Sequence, residues 1–303
     1  MALIRKRRLT EQQQRRIQKQ QQTRQEDIDT SNDLEGLVVQ HYGRQLEVQA
    51  LTTPDPHPIK PTVQAGEPEP FWKPIELGSI WRCHTRTNLE LLVTGDRVKW
   101  QADPNTGLGI INAIQPRQSL LTRPDRYHKV KPVAANISLI VIVFAPLPEP
   151  APGLIDRYLV ACADANIPAL LVLNKTDLLK DNDPIYAIVP DAAQKTNVIS
   201  ENSALGQHTT TSTRLIGFGE GASLIDSPGI REFGLWHLDA DKVQRGFPEI
   251  ENLLGYCQFR NCTHKHEKQC ALRLAAANGE ILTRRLDSYL RLIDEIAEAQ
   301  QKN

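Results

Sequence analysis

Three short motifs in the middle of the chain contain the residue types of a guanine-nucleotide site. The first is an N-K-x-D sequence at residues 174–177, directly after an apolar run. The Asp177 carboxylate can accept two N–H donors from the edge of a guanine, and adenine offers no matching pair. Lys175 can lay its methylene stem along the base. With Asn174, these residues predict a loop that selects guanine.

The other two motifs contain groups suited to a magnesium ion and to phosphates. Gly206 precedes a run of hydroxyls that includes Thr210 and Thr211, and a D-x-P-G sequence follows further on. Threonine hydroxyls suit Mg²⁺, and Asp226 at the end of a strand suits its outer coordination sphere, because this ion prefers hard oxygen ligands. Gly229 leaves an N–H free to approach a γ-phosphate. Each motif alone is common by chance, but together they predict a GTPase-derived domain that binds Mg²⁺ with GTP or GDP.

The order of these motifs is unusual. Ordinary GTPases run from the phosphate-binding loop to N-K-x-D, whereas here N-K-x-D comes first. The sequence therefore predicts a circularly permuted domain. Ile230 stands where Ras-like proteins keep a water-orienting Gln, so hydrolysis would need another group to position the water. His208 is the candidate catalytic residue, and the alternative is that it is merely exposed beside a loop.

A cluster near the C-terminus has the composition of a metal site. Cys257, Cys262 and Cys270 fall within 14 residues, with His264 and His266 between them. Thiolates and one imidazole fill the four positions of a tetrahedral Zn²⁺ site, which predicts one structural rather than catalytic zinc. The residues leave open which histidine is the ligand. An odd total of five cysteines, three of them clustered, favours a metal in a reducing cytoplasm over disulfides.

The elements around the nucleotide motifs predict an α/β domain. The apolar run at 137–144 is typical of a strand buried on both faces. A helical pattern at 154–165 and a strand at 169–173 complete a β-α-β unit, whose second strand delivers the N-K-x-D loop to the edge where α/β proteins bind ligands. Residues 214–218 and 222–226 predict a hairpin that leads into D-x-P-G.

Further upstream, short alternating segments predict a small closed β-barrel of the OB type. Basic residues such as Arg82 and Lys99 interleave with Trp81 and Trp100. Core packing of at least one Trp and an RNA-contacting face are the two interpretations of this pattern. The five predicted strands are 37–40, 45–50, 79–83, 97–100 and 109–114.

The two ends of the chain differ in character. Residues 1–25 carry eight Lys or Arg against one Glu, a composition that cannot bury a core. This arm is either a solvated tail or a phosphate-binding segment that orders on RNA. An amphipathic stripe over 280–300 predicts a C-terminal helix. No apolar run approaches 18 residues, so no membrane span is expected.

With the sequence D-S-P-G-I-R-E-F-G at 226–234, the permuted motifs and the Cys/His cluster closely resemble the RsgA family, also called YjeQ or EngC. This resemblance covers nearly the whole chain from about residue 34. It implies a GTPase that acts on the small ribosomal subunit and its rRNA during late maturation, in a cytoplasmic protein expected to be a monomer. It also implies that His264 is the fourth zinc ligand.

The expected architecture is multi-domain, α/β plus β. It comprises a basic disordered arm at 1–34 and an OB-fold barrel at 35–119. A truncated, circularly permuted GTPase-like domain at 120–246 follows, and an α-rich zinc module with the C-terminal helix occupies 247–303.

One family element has no counterpart here. The sequence contains no G-x-x-x-x-G-K-S/T and no Gly-Lys pair, and only 28 residues separate Asp177 from Gly206, where the family places this loop. A P-loop unit alone takes roughly 25 residues, so a stretch on the order of 50 residues is predicted to be absent just after Asp183 or Pro184. The chain is therefore either a GTPase or a hydrolysis-deficient rRNA-binding protein that has lost its phosphate-binding loop.

Overall fold

The structure is a computed structural model, and it divides into two compact units. One consists of Met1–Arg117 with Thr210–Pro228, and the other of Gln118–Thr209 with Gly229–Asn303. The residues that the structure describes are 30–42, 45–62, 69–86, 89–124, 129–147, 152–179, 213–218, 222–226, 235 and 237–301.

A closed five-stranded barrel forms most of the first unit. β1 (Leu34–Tyr42) pairs antiparallel with β2 (Gln45–Ala50) and with β4 (Arg97–Asp103). β3 (Ile80–Thr85) pairs with β2 and runs parallel to β5 (Leu108–Ile114), which pairs with β4. The strand order β1-β2-β3-β5-β4 therefore returns to β1, which confirms the OB-like barrel.

The barrel core contains both tryptophans of the alternating pattern. Trp81 and Trp100 are fully buried, with ring centroids 5.8 Å apart. A side chain at Gly36 of β1 would place its Cβ 2.7 Å from Trp100 Nε1, so only glycine lets the strand cross the indole this closely. The interpretation that at least one Trp packs in the core is confirmed for both rings, because strand alternation points them inward while Arg82 points outward.

A hairpin extends the barrel sheet in the first unit. β10 (Arg214–Phe218) and β11 (Ala222–Asp226) pair antiparallel, as predicted. β10 also lies beside β1, with Arg214 opposite Gln40. The strand that leads into the D-x-P-G sequence is thus attached to the barrel, which the sequence does not indicate.

The second unit contains a β-α-β unit, as predicted. β8 (Ile140–Phe144) and β9 (Ala169–Leu173) are parallel, and α1 (Pro152–Asp164) connects them. Before them, β6 (Leu120–Pro124) and β7 (Val130–Ala135) form an antiparallel hairpin.

The prediction that the apolar run at 137–144 is buried on both faces is wrong. Phe144 packs with Ile155 of α1 in a small core. On the opposite face of the strand, Val141 is 42% exposed and Val143 is 60% exposed. The reason is that α1 covers one face, and β9 is the neighbour of β8 in the sheet of described residues.

Among residues 237–301, the structure contains four helices. They are α2 (Ala240–Gln244), α3 (Pro248–Glu251), α4 (Ala271–Ala277) and the long α5 (Thr283–Gln301). Their core includes Phe247, whose ring meets the edge of Tyr289 at 5.5 Å between centroids. The predicted amphipathic C-terminal helix and α-rich module are confirmed. No helix among the described residues is both long and apolar enough to cross a membrane.

A buried ion network joins α1 to the C-terminal helices. The Asp156 carboxylate is fully buried and accepts from Arg284 Nη1 at 2.9 Å and from Arg285 Nη1 at 2.7 Å. The Arg285 guanidinium also donates to Glu249 Oε1 at 2.6 Å and lies 4.2 Å from the centre of the Phe247 ring. Because every charge has a partner, the network can be buried without leaving an isolated ion.

Candidate functional site

The N-K-x-D loop sits at the carboxyl end of the β8–β9 pair. The Asn174 N–H donates to the Phe144 carbonyl at 2.8 Å, which fixes the loop to the end of β8. Lys175 adopts a left-handed conformation with φ 56°, and its N–H donates to Asn174 Oδ1 at 2.8 Å. A single 3₁₀ turn, Thr176–Leu178, follows. The local backbone therefore turns the motif away from the sheet at its ligand-binding edge.

The side chains of this loop are available to a ligand. Asn174, Lys175 and Asp177 are exposed. Within the described part of the chain, no hydrogen bond or ion pair engages the Asp177 carboxylate. Both of its oxygens can therefore accept N–H donors from a base.

The other predicted nucleotide residues belong to the first unit or fall outside the described residues. Asp226 is the last residue of β11, in the first unit, whereas the N-K-x-D loop belongs to the second. Four of the predicted residues, His208, Thr210, Thr211 and Gly229, lie outside the described residues, as does the basic arm up to residue 29.

The structure brings three thiols and one imidazole together in the metal knuckle, the segment 256–270. The ligand atoms of Cys257, Cys262, His264 and Cys270 all lie within 4.8 Å of one another, and His266 is outside this group. His264 Nδ1 is 3.4 Å from the sulfurs of both Cys257 and Cys270, and those two sulfurs are 3.9 Å apart.

These separations fit a tetrahedral metal. With Zn–S bonds of about 2.3 Å and Zn–N bonds of about 2.0 Å, the edges of the tetrahedron are roughly 3.8 Å between sulfurs and roughly 3.5 Å between sulfur and nitrogen. The observed distances among Cys257, His264 and Cys270 agree with both values. The donor set also suits zinc, because soft thiolates and a neutral imidazole select it over Mg²⁺.

Local backbone features shape the metal knuckle. Cys270 is the residue before α4, and the Ala271 N–H at the start of that helix donates to Cys257 Sγ at 3.4 Å. Left-handed residues at His264 (φ 62°) and Gln269 (φ 63°) turn the chain back toward the cluster. The hydrogen bond from the Ala271 N–H thus holds Cys257, the first thiol, close to Cys270, the last.

Burial favours the ligating form of His264, and hydrogen bonds fix the turn around it. Burial lowers the pKa of His264, so its imidazole stays neutral, as metal binding requires. The Glu267 carboxylate accepts from the Thr263 Oγ1 and N–H, at 2.6 and 2.8 Å, and from the His266 N–H at 3.2 Å. These bonds, the Thr263 hydroxyl first among them, hold the pKa of Glu267 below its usual range. The carboxylate thus fastens the turn that carries His264.

Comparison with known proteins agrees with the geometry. The RsgA GTPase family model matches residues 114–187 and 185–236. The small ribosomal subunit biogenesis GTPase RsgA of Alcanivorax borkumensis is 36% identical over 359 residues, which covers 97% of both chains. The chain belongs to the RsgA GTPase family. Its RsgA relative from Hahella chejuensis is 38% identical over 360 residues, again covering 97% of each chain.

Two crystal structures show the same fold as this RsgA family member. YloQ, described as a circularly permuted GTPase, matches with a TM-score of 0.56 and 22% identity over 89% of this chain and 97% of its own. YjeQ from Thermotoga maritima matches with a TM-score of 0.59 and 22% identity over 87% of this chain and 98% of its own. The predicted circular permutation is confirmed.

The match to RsgA proteins is interrupted inside the chain. The family model aligns in two pieces that meet at residues 185–187. The alignment to the A. borkumensis protein spans 359 positions against 303 residues here, so at least 56 positions, the difference, have no residue of this chain opposite them. The two pieces meet where the missing stretch is predicted, just after Asp183 or Pro184.

Sequence reasoning missed two features of the second unit. One is the buried network of Asp156, and its signal is a carboxylate on the apolar face of α1, close to Leu159 and Val160. The other is a pair of exposed aromatic residues in the metal knuckle, Tyr256 and Phe259.

Proposed function

We propose that this protein acts in late maturation of the small ribosomal subunit, where it binds guanine nucleotide and rRNA. The supporting observation is the relationship over 97% of the chain to proteins named small ribosomal subunit biogenesis GTPase. An alignment of that extent includes the barrel, the nucleotide motifs and the metal knuckle together. We expect it to work as a cytoplasmic monomer.

The N-K-x-D loop would read the guanine base. Its exposed side chains and the unengaged Asp177 carboxylate support this role. The phosphate side would use the two other motifs, with a threonine hydroxyl on Mg²⁺ and His208 as the candidate water-positioning residue. The proposed nucleotide-binding residues are Asn174, Lys175, Asp177, Thr210, Thr211, Asp226 and Gly229.

A second candidate function differs in turnover. The interrupted family match and the lack of any G-x-x-x-x-G-K-S/T sequence favour a protein that binds without hydrolysing GTP. The backbone N–H groups and Lys of a P-loop are the main cradle of the β- and γ-phosphates, and phosphoryl transfer depends on positioning them. For a chain that is continuous from Pro184 to Ile185, we therefore favour the hydrolysis-deficient rRNA-binding factor over the active GTPase.

One structural Zn²⁺ per chain completes the proposal. Four ligand atoms within 4.8 Å of one another support Cys257, Cys262, His264 and Cys270 as its ligands. With all four positions filled by protein, such an ion would stabilise the fold and leave no open position for substrate. The proposed domains are the arm at 1–34, the barrel at 35–119, the GTPase-like domain at 120–246 and the zinc module at 247–303.

Subunit pelleting across a salt series tests the ribosomal role. The full chain should pellet with small subunits, and its binding should weaken with salt by a slope of roughly 0.9 per duplex phosphate contact. A variant with the eight Lys and Arg of residues 1–25 changed to Gln keeps the length of the arm and should flatten this slope. Its affinity for guanine nucleotide should not change. An unchanged slope would show that the arm is only a solvated tail, and no pelleting at low salt would overturn the proposed function.

A further inference from the structure

Two aromatic side chains stand on the surface of the metal knuckle, and the site described above does not use them. Tyr256 is 78% exposed and Phe259 is 50% exposed. Neither belongs to the hydrophobic core that surrounds Cys257 and Cys262. Exposed apolar surface marks contact sites where it is contiguous, and these two residues are only three positions apart in the sequence.

The backbone that carries these rings is held in tight turns. Gly255 adopts φ 88°, which only glycine adopts readily, and the Tyr256 N–H donates to the Leu253 carbonyl at 3.3 Å. The Phe259 carbonyl accepts from the Cys262 N–H at 3.2 Å. Each ring is therefore attached to a tight turn beside a metal ligand. Because the main chain is already fixed, little backbone entropy is lost when the rings bind.

Three cations in the metal knuckle and in the helix that follows it are not neutralised. Arg260, Lys268 and Arg273 are exposed, and among residues 237–301 and the other described segments none of them has an ion pair. The remaining charges are engaged, since Lys265 pairs with Asp294 at 2.7 Å and Glu267 is hydrogen-bonded within its own turn. The surface thus combines exposed aromatic rings with free positive charge.

This combination fits an unpaired stretch of RNA. Rings can stack on single-stranded bases, whatever their sequence, while neighbouring cations contact the phosphates. A duplex fits less well, because its bases are already stacked and its major groove is too deep and narrow for side chains to read. A neutral apolar peptide would leave three cations without a partner.

We propose that Tyr256 and Phe259 stack on unpaired bases of an RNA segment, with Arg260 and Lys268 on its phosphates. The inference rests on the proposed function, because it takes this RNA to be part of the small ribosomal subunit. It assigns the metal knuckle a base-contacting surface in addition to its structural role.

Fluorescence anisotropy with a labelled oligouridine and an RNA duplex of equal charge tests the proposal. The full chain is measured in high salt, where the contribution of the basic arm is screened. Tyr256→Ala with Phe259→Ala should weaken single-strand binding by about 5- to 150-fold for each stacked base, while duplex affinity stays unchanged. Tyr256→Phe, which keeps the ring, should bind like the unmutated chain.

Matched controls separate stacking from misfolding. Leu274 is also exposed, at 54%, in α4, and Leu274→Ala should leave RNA affinity unchanged. Bound zinc, measured by elemental analysis, should be equal in all these variants. Arg260→Gln with Lys268→Gln should reduce the salt dependence of binding, which the aromatic variants should not change.

Other outcomes overturn the stacking or the proposed function separately. Equal oligouridine affinity in the double alanine variant overturns the stacking, as does a loss in Tyr256→Phe as large as that in the double alanine variant. If the double variant loses only subunit pelleting, the surface contacts a ribosomal protein instead. None of these outcomes contradicts the proposed function. Failure of the unmutated chain to pellet with subunits would overturn that function itself.

Discussion

Removal of the Asp156 carboxylate should loosen the contact between α1 and the C-terminal helices. In Asp156→Ala, Arg284 and Arg285 each lose a bond of 2.9 or 2.7 Å, and Arg285 is almost completely buried. Arg285 keeps its bonds to Glu249, so it is not left as an isolated ion. Breaking a buried pair costs about 3–5 kcal/mol, and we expect a value near the lower end, about 3 kcal/mol.

Hydrogen exchange measures this loss of stability in the two helices that the network joins. A change of about 3 kcal/mol corresponds to roughly a hundredfold faster exchange of amides in α1 and α5, if exchange follows the opening equilibrium. A second ion pair between the same helices, Arg157 with Glu295, is the matched control because its side chains are 22% and 44% exposed to solvent. Glu295→Gln should change exchange by less than about fivefold, since exposed pairs contribute about 1 kcal/mol or less. Equal effects of the two substitutions would refute the reasoning from burial.

Three further predictions concern other parts of the molecule. Cys262→Ser should lose about one Zn²⁺ per chain and unfold the region after residue 247, because metal binding and folding are coupled. His266→Ala should retain the metal. Elemental analysis distinguishes the two variants, and equal loss of zinc would contradict the ligand assignment. Gly246→Ala should destabilise the second unit by about 1–3 kcal/mol in urea, because its Cβ would lie 2.6 Å from the Val160 Cα; an unchanged midpoint would argue against this close packing. Burial lowers the pKa of His41, so the unfolded chain binds a proton more readily and the stability of the barrel should fall as the pH drops below about 6.5. In His41→Gln, the urea midpoint should depend less on pH over this range. The same pH dependence in both proteins would show that His41 does not contribute.

Local patterns were sufficient for the barrel and for the metal cluster. Alternation along β3 places Trp81 and Cys83 inside and Arg82 outside, so this pattern alone predicts that Trp81 is a core residue. The cysteines and His264 lie close in sequence, and a short loop can bring them together without help from distant segments.

Features that depend on distant segments could not be predicted. Arg214 lies opposite Gln40 across β10 and β1, and no local pattern identifies that partner. The composition of β8 shows that its side chains favour burial, but not whether the chain supplies a second covering layer, and Val143 remains exposed. The partners of Asp156 likewise come from a helix more than one hundred residues away.

Phosphate release under saturating GTP, with and without small ribosomal subunits, tests most directly whether this RsgA family member binds without turnover. The protein used should have an intact mass near 34.1 kDa, which establishes that the chain is continuous from Pro184 to Ile185. We expect no release above background in either condition, because the phosphates lack their main positioning groups, while the chain still pellets with the subunits. Subunit-stimulated release that disappears in Asp226→Ala would contradict this conclusion.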